Sequence, residues 1–254
     1  MLQLYARAIL ESGRRLVGSW PALLVLPLYP LILYVGGMLT GSLGIVGQLL
    51  MSLVVAACWS SYLQIISEAV TSVRFRLSWD ELKSTFGARF WDVVSVMFAF
   101  WMISIFTQPL LGGPRGPAFA AIIGLTIGFF FNAVPELLYQ GNSRSFSLLL
   151  ESGRFMTEHP LMWLLPNLLV AFLAFWLTGS INLSQPQALL VTFAYTFSSP
   201  MYVIGLLLNF PFWALPIVVI LAHTFMIFRG VLFRELARGG ANPRLQAFRS
   251  RTGS

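Results

Sequence analysis

The chain has 254 residues, 57% of them hydrophobic and 10% charged, with a mean hydropathy of +0.78 and a formal net charge of +7. Soluble domains carry about 25% charged residues, so a water-exposed globule is excluded. The 22 Phe, 8 Trp and single Cys also exclude disorder, a collagen-like repeat and a disulfide scaffold. What remains is an all-α, polytopic transmembrane helix bundle with the lipid bilayer as its solvent.

Fifteen of the sixteen basic residues are Arg, and they cluster. Arg7, Arg14 and Arg15 precede the first apolar run, and six more lie between Arg229 and Arg251. No soluble basic domain exists to hold a duplex, so nucleic acid is not the expected partner. The pattern is that of Arg flanking membrane spans on the cytoplasmic side. The N-terminal basic region is about twenty residues long, includes Glu11 and is followed by no Ala-x-Ala site, so the apolar stretch from Trp20 to Leu39 reads as an uncleaved span.

A helix crossing a hydrocarbon core of roughly 30 Å needs about 20 apolar residues. Spans are predicted over Pro21–Leu39, Ile45–Ile66, Val93–Leu111, Ala118–Leu138 and Leu161–Thr178, with a last one from about Phe212 to Phe233. Breakers separate them at Thr40-Gly41-Ser42, at 112–117 and at 179–186. With a cytoplasmic N-terminus, segments 67–92 and 139–160 fall inside and hold Arg74, Arg76, Lys83, Arg89, Arg144 and Arg154, whereas the outer turns hold Arg115. The lone Cys58 lies within an apolar run and reads as a small buried hydrophobe.

Residues 187–228 are too long for one span, and two spans would leave the Arg-rich tail outside. Residues 187–210 are therefore read as a re-entrant or outer-face segment, which gives six spans, seven being the alternative. The domain is expected over 1–234, followed by a basic cytoplasmic tail over 235–254. The setting is the cell inner membrane, with both termini cytoplasmic.

Amphipathic segments precede the odd-numbered spans. In Ser78–Val93 the residues Trp79, Leu82, Phe86, Phe90 and Val93 recur at helical spacing, with Ser78 and Glu81 at capping-box spacing. Residues 2–16 and 145–158 are weaker versions. Such helices either lie in the interface or dock on the protein's own inner face. Glu11-Ser12-Gly13-Arg14 recurs as Glu151-Ser152-Gly153-Arg154, and Pro21-x5-Pro27 recurs as Pro160-x5-Pro166. This suggests three parallel units, 1–66, 78–138 and 145–234, each an interfacial helix followed by a hairpin of spans.

Charged and polar groups within spans are the best functional signals, because an unpaired charge in hydrocarbon is costly. Ala120, Gly124, Gly128, Asn132 and Glu136 follow at i+4: a small-residue seam leading to a carboxamide and a carboxylate. A second row ends in Gln64 and Glu68. If the rows face each other, Glu68 and Glu136 come together, with Arg74 or Arg144 to neutralise them. The four residues Gln64, Glu68, Asn132 and Glu136 form the candidate intramembrane polar site, against the alternative of a packing seam. His223 and His159 lack ligand-spaced partners, so no metal, haem or other cofactor is expected, and His223 reads as a satisfied packing residue. No phosphate-binding loop, nucleophile elbow or HExxH appears, so no catalytic residues are assigned.

The two Glu-Ser-Gly-Arg segments, with Trp20-Pro21 and His159-Pro160 after them and Phe228-Arg229 and Phe233-Arg234 at the end, resemble bacterial six-span families related to the membrane domain of glycerophosphodiester phosphodiesterases. That resemblance covers most of the chain and carries no active site. The N-terminal interfacial helix, the six spans, the helix Ser78–Asp92 and the stretch 187–210 resemble the permease subunit of exporter-type ATP-driven transporters. The very short first external turn and the third amphipathic helix depart from that pattern. This second resemblance implies that Trp79, Leu82 and Phe86 form a contact for a separate cytoplasmic ATPase. The expected function is a non-enzymatic membrane component of a transport or export assembly, with other membrane subunits or further copies of the chain as partners. A membrane-organising protein is the alternative, and an intramembrane enzyme comes last.

Overall fold

A computed structural model describes residues 2–72, 79–111, 113, 115–141, 146–178 and 215–239. Every regular element among them is helical. Three stretches are long and apolar enough to cross a membrane: Trp20–Thr71, Phe90–Leu111 and Gly116–Gln140. The segment 187–210 and the tail from 240 lie outside the described residues.

Helix α1 (Leu2–Gly18) ends where Ser19 turns the chain, its N–H and Oγ both donating to the Arg15 carbonyl at 2.8 Å. Pro21 then opens α2 (Trp20–Val25), where a missing N–H costs nothing. The single span expected over Pro21–Leu39 is broken at 26–27, because Pro27 cannot donate to the turn before it, and α3 (Leu28–Thr40) starts afresh. A 3-10 turn at Gly41–Leu43 and Gly44, with φ of 56°, reverses the chain. Only glycine adopts that φ freely. Gly47 then lies so close to the Thr40 carbonyl that a Cβ has no room.

Helix α4 (Gly44–Thr71) has 28 residues and is about 42 Å long. It runs past the expected end at Ile66, and Ala69 and Val70 are buried in the main core. Helices α5 (Trp79–Ala88) and α6 (Phe90–Leu111) meet at Arg89, and α7 (Gly116–Phe130) is followed by the short α8 (Val134–Gln140). Next come α9 (Phe146–Glu158), α10 (Pro160–Thr178) and α11 (Leu215–Gly239). The domain boundary expected at 234/235 falls inside α11, where Leu236 is buried.

Helices α1, α5 and α9 therefore each precede an apolar stretch, with breaks at Ser19, Arg89 and His159. They gather at one end of the bundle. The C-terminal parts of α4, α8 and α11 converge there. Around them α5 packs on α4, α9 on α7 and α8, and α1 on α11, which closes the ring between the first and last described helices. The core sits at this end and includes Leu63, Ile66, Leu137, Met156, Trp163 and Ile227. At the far end α3 and α4 expose Tyr34, Met38, Leu39, Ile45 and Leu49, apolar surface suited to acyl chains.

Helices α1, α5 and α9 all dock on the bundle, and α1 and α9 also keep an apolar outer face. In α1, Ala8 and Ser12 are buried, Ile9, Leu10 and Val17 are exposed carbon, and Arg7 and Arg14 face solvent. In α9, Leu148, Ser152 and Met156 are buried while Phe146 and Leu150 are exposed.

Candidate intramembrane charge site

The site starts from a helix that cannot continue. Pro135 has no N–H for the Phe131 carbonyl four residues back, so residues 131–133 leave the helix and α8 begins anew at Val134. A broken helix at membrane depth exposes carbonyl groups, which need donors from elsewhere. Val134 N–H donates to Phe131 O at 3.1 Å. Ser152 Oγ, from the second Glu-Ser-Gly-Arg segment, donates to Phe130 O at 2.7 Å. Arg229 Nη2 donates to Asn132 O at 2.6 Å.

Arg229 is also the counter-ion of Glu136. Its Nε and Nη2 donate to the two carboxylate oxygens at 2.8 and 2.9 Å, the bidentate geometry that a guanidinium favours. Nη1 donates to Asn167 Oδ1 at 3.1 Å, and the guanidinium carbon lies 5.0 Å from the centre of the Trp163 ring. Trp163 Nε1 in turn donates to Asn132 Oδ1 at 2.7 Å. Glu136 and Asn132 are 0% exposed, Asn167 1% and Arg229 5%. One arginine thus joins α8, α10 and α11 through four hydrogen bonds and one aromatic face.

Among the described residues Asn132 Nδ2 and, further along α11, both ring nitrogens of His223 are buried without a hydrogen-bond partner. The His223 ring lies 6.3 Å from that of Tyr62. It is a packing residue as expected, but not a satisfied one.

The sequence-derived site divides in two. Asn132 and Glu136 enter the cluster just described. Gln64 and Glu68 pair with each other along α4, Nε2 donating to Oε1 at 3.0 Å. The face of α4 that meets α8 carries Ser67, whose Oγ donates to Tyr139 O at 3.3 Å. No hydrogen bond among the described residues joins the two rows. Glu136 is neutralised by Arg229, and Arg74 and Arg144, once expected in that role, lie outside the described residues.

The expected partner-contact face of α5 turns inward. Leu82 is buried with Val25, Tyr29, Cys58 and Ile65, and the half-buried Phe86 ring stands 6.3 Å from Tyr29. The cause is the polar bridge behind it: Ser61 Oγ lies 2.9 Å from Tyr29 Oη and 2.6 Å from Thr85 Oγ1, which fixes α5 against α4. The Trp79 side chain lies outside the described residues. Asp80, Lys83, Ser84, Gly87 and Ala88 face outward.

Arg229, Asn167 and Trp163 complete the site without standing out in the sequence. Asn167 is the single carboxamide within 161–178 and Arg229 a charge in a largely apolar stretch, but beside the Arg-rich tail Arg229 looks like one more topology residue.

Chemically, the cluster holds charge and locks helices. Among the described residues no three His, Cys, Asp or Glu side chains gather as metal ligands. No protein-family model matches the sequence, and no curated protein or solved structure matches it significantly.

Proposed function

We propose that this protein is a six-span inner-membrane component of a transport or export assembly, with no catalytic machinery of its own. The observation that carries the reading is the buried Glu136–Arg229 pair set at a helix break. Intramembrane charges of this kind are expensive and belong by default to pathways or gates. Broken helices line the working sites of many transporters. In this reading the pair is a latch between the second and third hairpins at the cytoplasmic end, and Asn132 Nδ2 and His223 are polar groups available when the latch opens.

The helix-plus-hairpin units of α1–α4 and α5–α8, with α9 and α10 opening a third in the same order, support six spans, with both termini and α1, α5 and α9 on the Arg-rich cytoplasmic side. A cytoplasmic ATPase would then meet the outward face of α5 at Ser84 and Gly87 rather than Leu82 and Phe86. A Cβ at Gly87 meets open space, so Gly87→Glu changes that face without disturbing the core. Protein purified in native lipid particles should retain an ATPase subunit that Gly87→Glu releases. If no ATPase is retained and vesicle binding is intact, the transport reading falls to a second one.

That second reading is a membrane-organising protein. It draws on the exposed apolar faces of α1 and α9, Leu10 at 70% and Leu150 at 77%, which together would hold two interfacial helices in one plane.

A further inference from the structure

Helix α1 is held on its inner side and bare on its outer side. Ala8 and Ser12 are buried, and Tyr5 and Arg15 bond to carbonyls of α10 and α4. Around the helix axis the opposite face carries Ile9, Gly13, Val17 and Leu10 as one exposed strip. Arg7 and Arg14 follow along one edge of it, about two turns apart, between Leu10 and Glu11.

Those two arginines have no partner. Among the described residues neither makes a hydrogen bond or an ion pair, and Glu11 is already taken by Arg15 at 2.7 Å and by Arg234 at 2.5 Å. Counting Arg234 and Glu235 of the adjoining α11, Arg7, Arg14, Arg15 and Arg234 stand against two carboxylates, so the exposed pair is the local excess. The chain also passes at Ser19 directly into the apolar stretch Trp20–Thr71, whose first residues expose Trp20 and Leu24. The surface of a bilayer offers both complements in one place, acyl carbon for the strip and phosphate anions for the guanidiniums. On α9 the outward face has the carbon, Phe146 and Leu150, but its Arg154 is followed one turn later by the exposed Glu158. We propose that the outer face of α1 binds anionic phospholipid, with Ile9, Leu10 and Val17 among the acyl chains and phosphates at Arg7 and Arg14. This rests on the interfacial placement of α1 in the second reading and adds the class of lipid it selects.

The test puts a bimane fluorophore on Gly13→Cys of the full-length chain, where a Cβ meets open space and the native Cys58 is buried. The protein is reconstituted in vesicles of equal phosphatidylglycerol and phosphatidylcholine with identical acyl chains, one lipid or the other brominated along its chains. Both leaflets hold both lipids, so the outcome does not depend on orientation. Total quenching reports whether the face is immersed, and the ratio between the two lipids reports which one adjoins it. Immersion is expected, with phosphatidylglycerol favoured about fivefold, the scale of one arginine at an anionic surface. Arg7→Gln with Arg14→Gln should keep the immersion and bring the lipids to parity, and the same label on Leu150→Cys should show no preference. A label that neither lipid quenches overturns the placement itself and gives the face to a protein, whether a second copy or another chain. A preference that survives in the double variant, or one as strong at Leu150→Cys, overturns the selectivity and leaves the placement standing. Both arginines are exposed and unpartnered in the fold, so the double variant alters charge alone.

Discussion

Arg229 grips both carboxylate oxygens of Glu136 across 93 residues of sequence and, with the same guanidinium, satisfies the carbonyl that the helix break exposes at Asn132. The break and the charge are thus two halves of one arrangement. Pro135 opens the helix, and the arginine that neutralises Glu136 also caps the gap. Removing either partner leaves a buried charge without its counter-ion, and removing Arg229 also strips the Asn132 carbonyl of its donor.

Single substitutions should show this. Glu136→Leu and Arg229→Met should each lower stability by about 3–5 kcal/mol, the cost of leaving one member of a buried pair alone. The joint replacement Glu136→Leu with Arg229→Met should cost much less than the two added together. Thermal unfolding of the purified protein in detergent measures both. Additive losses would show that the two side chains do not act as a pair.

The repeated Glu-Ser-Gly-Arg segment makes a sharper contrast. Ser152 supplies the donor for Phe130 O, whereas Ser12, among the described residues, bonds to Ile9 O in its own helix. Ser152→Ala should cost roughly 1–3 kcal/mol, because a buried carbonyl is left unmade. Ser12→Ala should stay within about 0.5 kcal/mol. Equal effects in the same unfolding assay would mean that the repeat preserves function at both serines rather than closing one break.

Much of this architecture was legible in the sequence, and the reasons differ by feature. The helices α1, α5 and α9 that precede apolar stretches, and the chain reversal at Gly41–Gly44, follow from local periodicity and from glycine and proline chemistry. The kink at Pro27 and the break at Pro135 were local too, but apolar runs of about 20 residues conceal them, since proline is tolerated within spans. The partner of Glu136 was not legible: Arg229 is far along the chain and resembles its topological neighbours. The inward turn of Leu82 depends on Ser61 and Thr85, hydroxyls that look like ordinary helix-surface residues until α4 and α5 are side by side.

Proline also explains a contact of α1. Pro166 has no N–H for the Met162 carbonyl, and Tyr5 Oη donates to it at 2.9 Å. Tyr5→Phe should cost about 1 kcal/mol and loosen α1 from α10. Faster protease cleavage within α1 would register it, and an unchanged rate would mean that the α4 and α11 contacts are enough to hold α1.

The hold of α1 on α11 should weaken in acid. Burial by itself raises the Glu11 carboxyl, but hydrogen bonds and charge from Arg15 and Arg234 outweigh it and bring the group below its ordinary value of 4.5. A depressed carboxylate contributes stability that is complete above the unfolded value and disappears as pH falls through the folded one. Cleavage within α1 should therefore be flat above about pH 5 and rise as the medium drops below 4.5. Glu11→Gln should be cleaved faster at neutral pH and lose that dependence. A Glu11→Gln profile that still rises in acid would assign the effect to another group.

Orientation can be read with thiols, because the single native cysteine, Cys58, is buried and should give little background. Gly87 on α5 and Gly113 between α6 and α7 are both exposed and lie at opposite ends of a 22-residue helix. In intact cells an impermeant maleimide should label Gly113→Cys and spare Gly87→Cys until the membrane is opened. Under the proposed six-span arrangement Ser254→Cys should behave like Gly87→Cys, because three hairpins would return the chain to its starting side. Labelling at 254 from outside, with Gly87→Cys still protected, would require a seventh crossing and defeat the six-span arrangement. Labelling of Gly87→Cys from outside would invert the whole protein and place the Arg-rich short-helix end, against the charge rule, on the outer face.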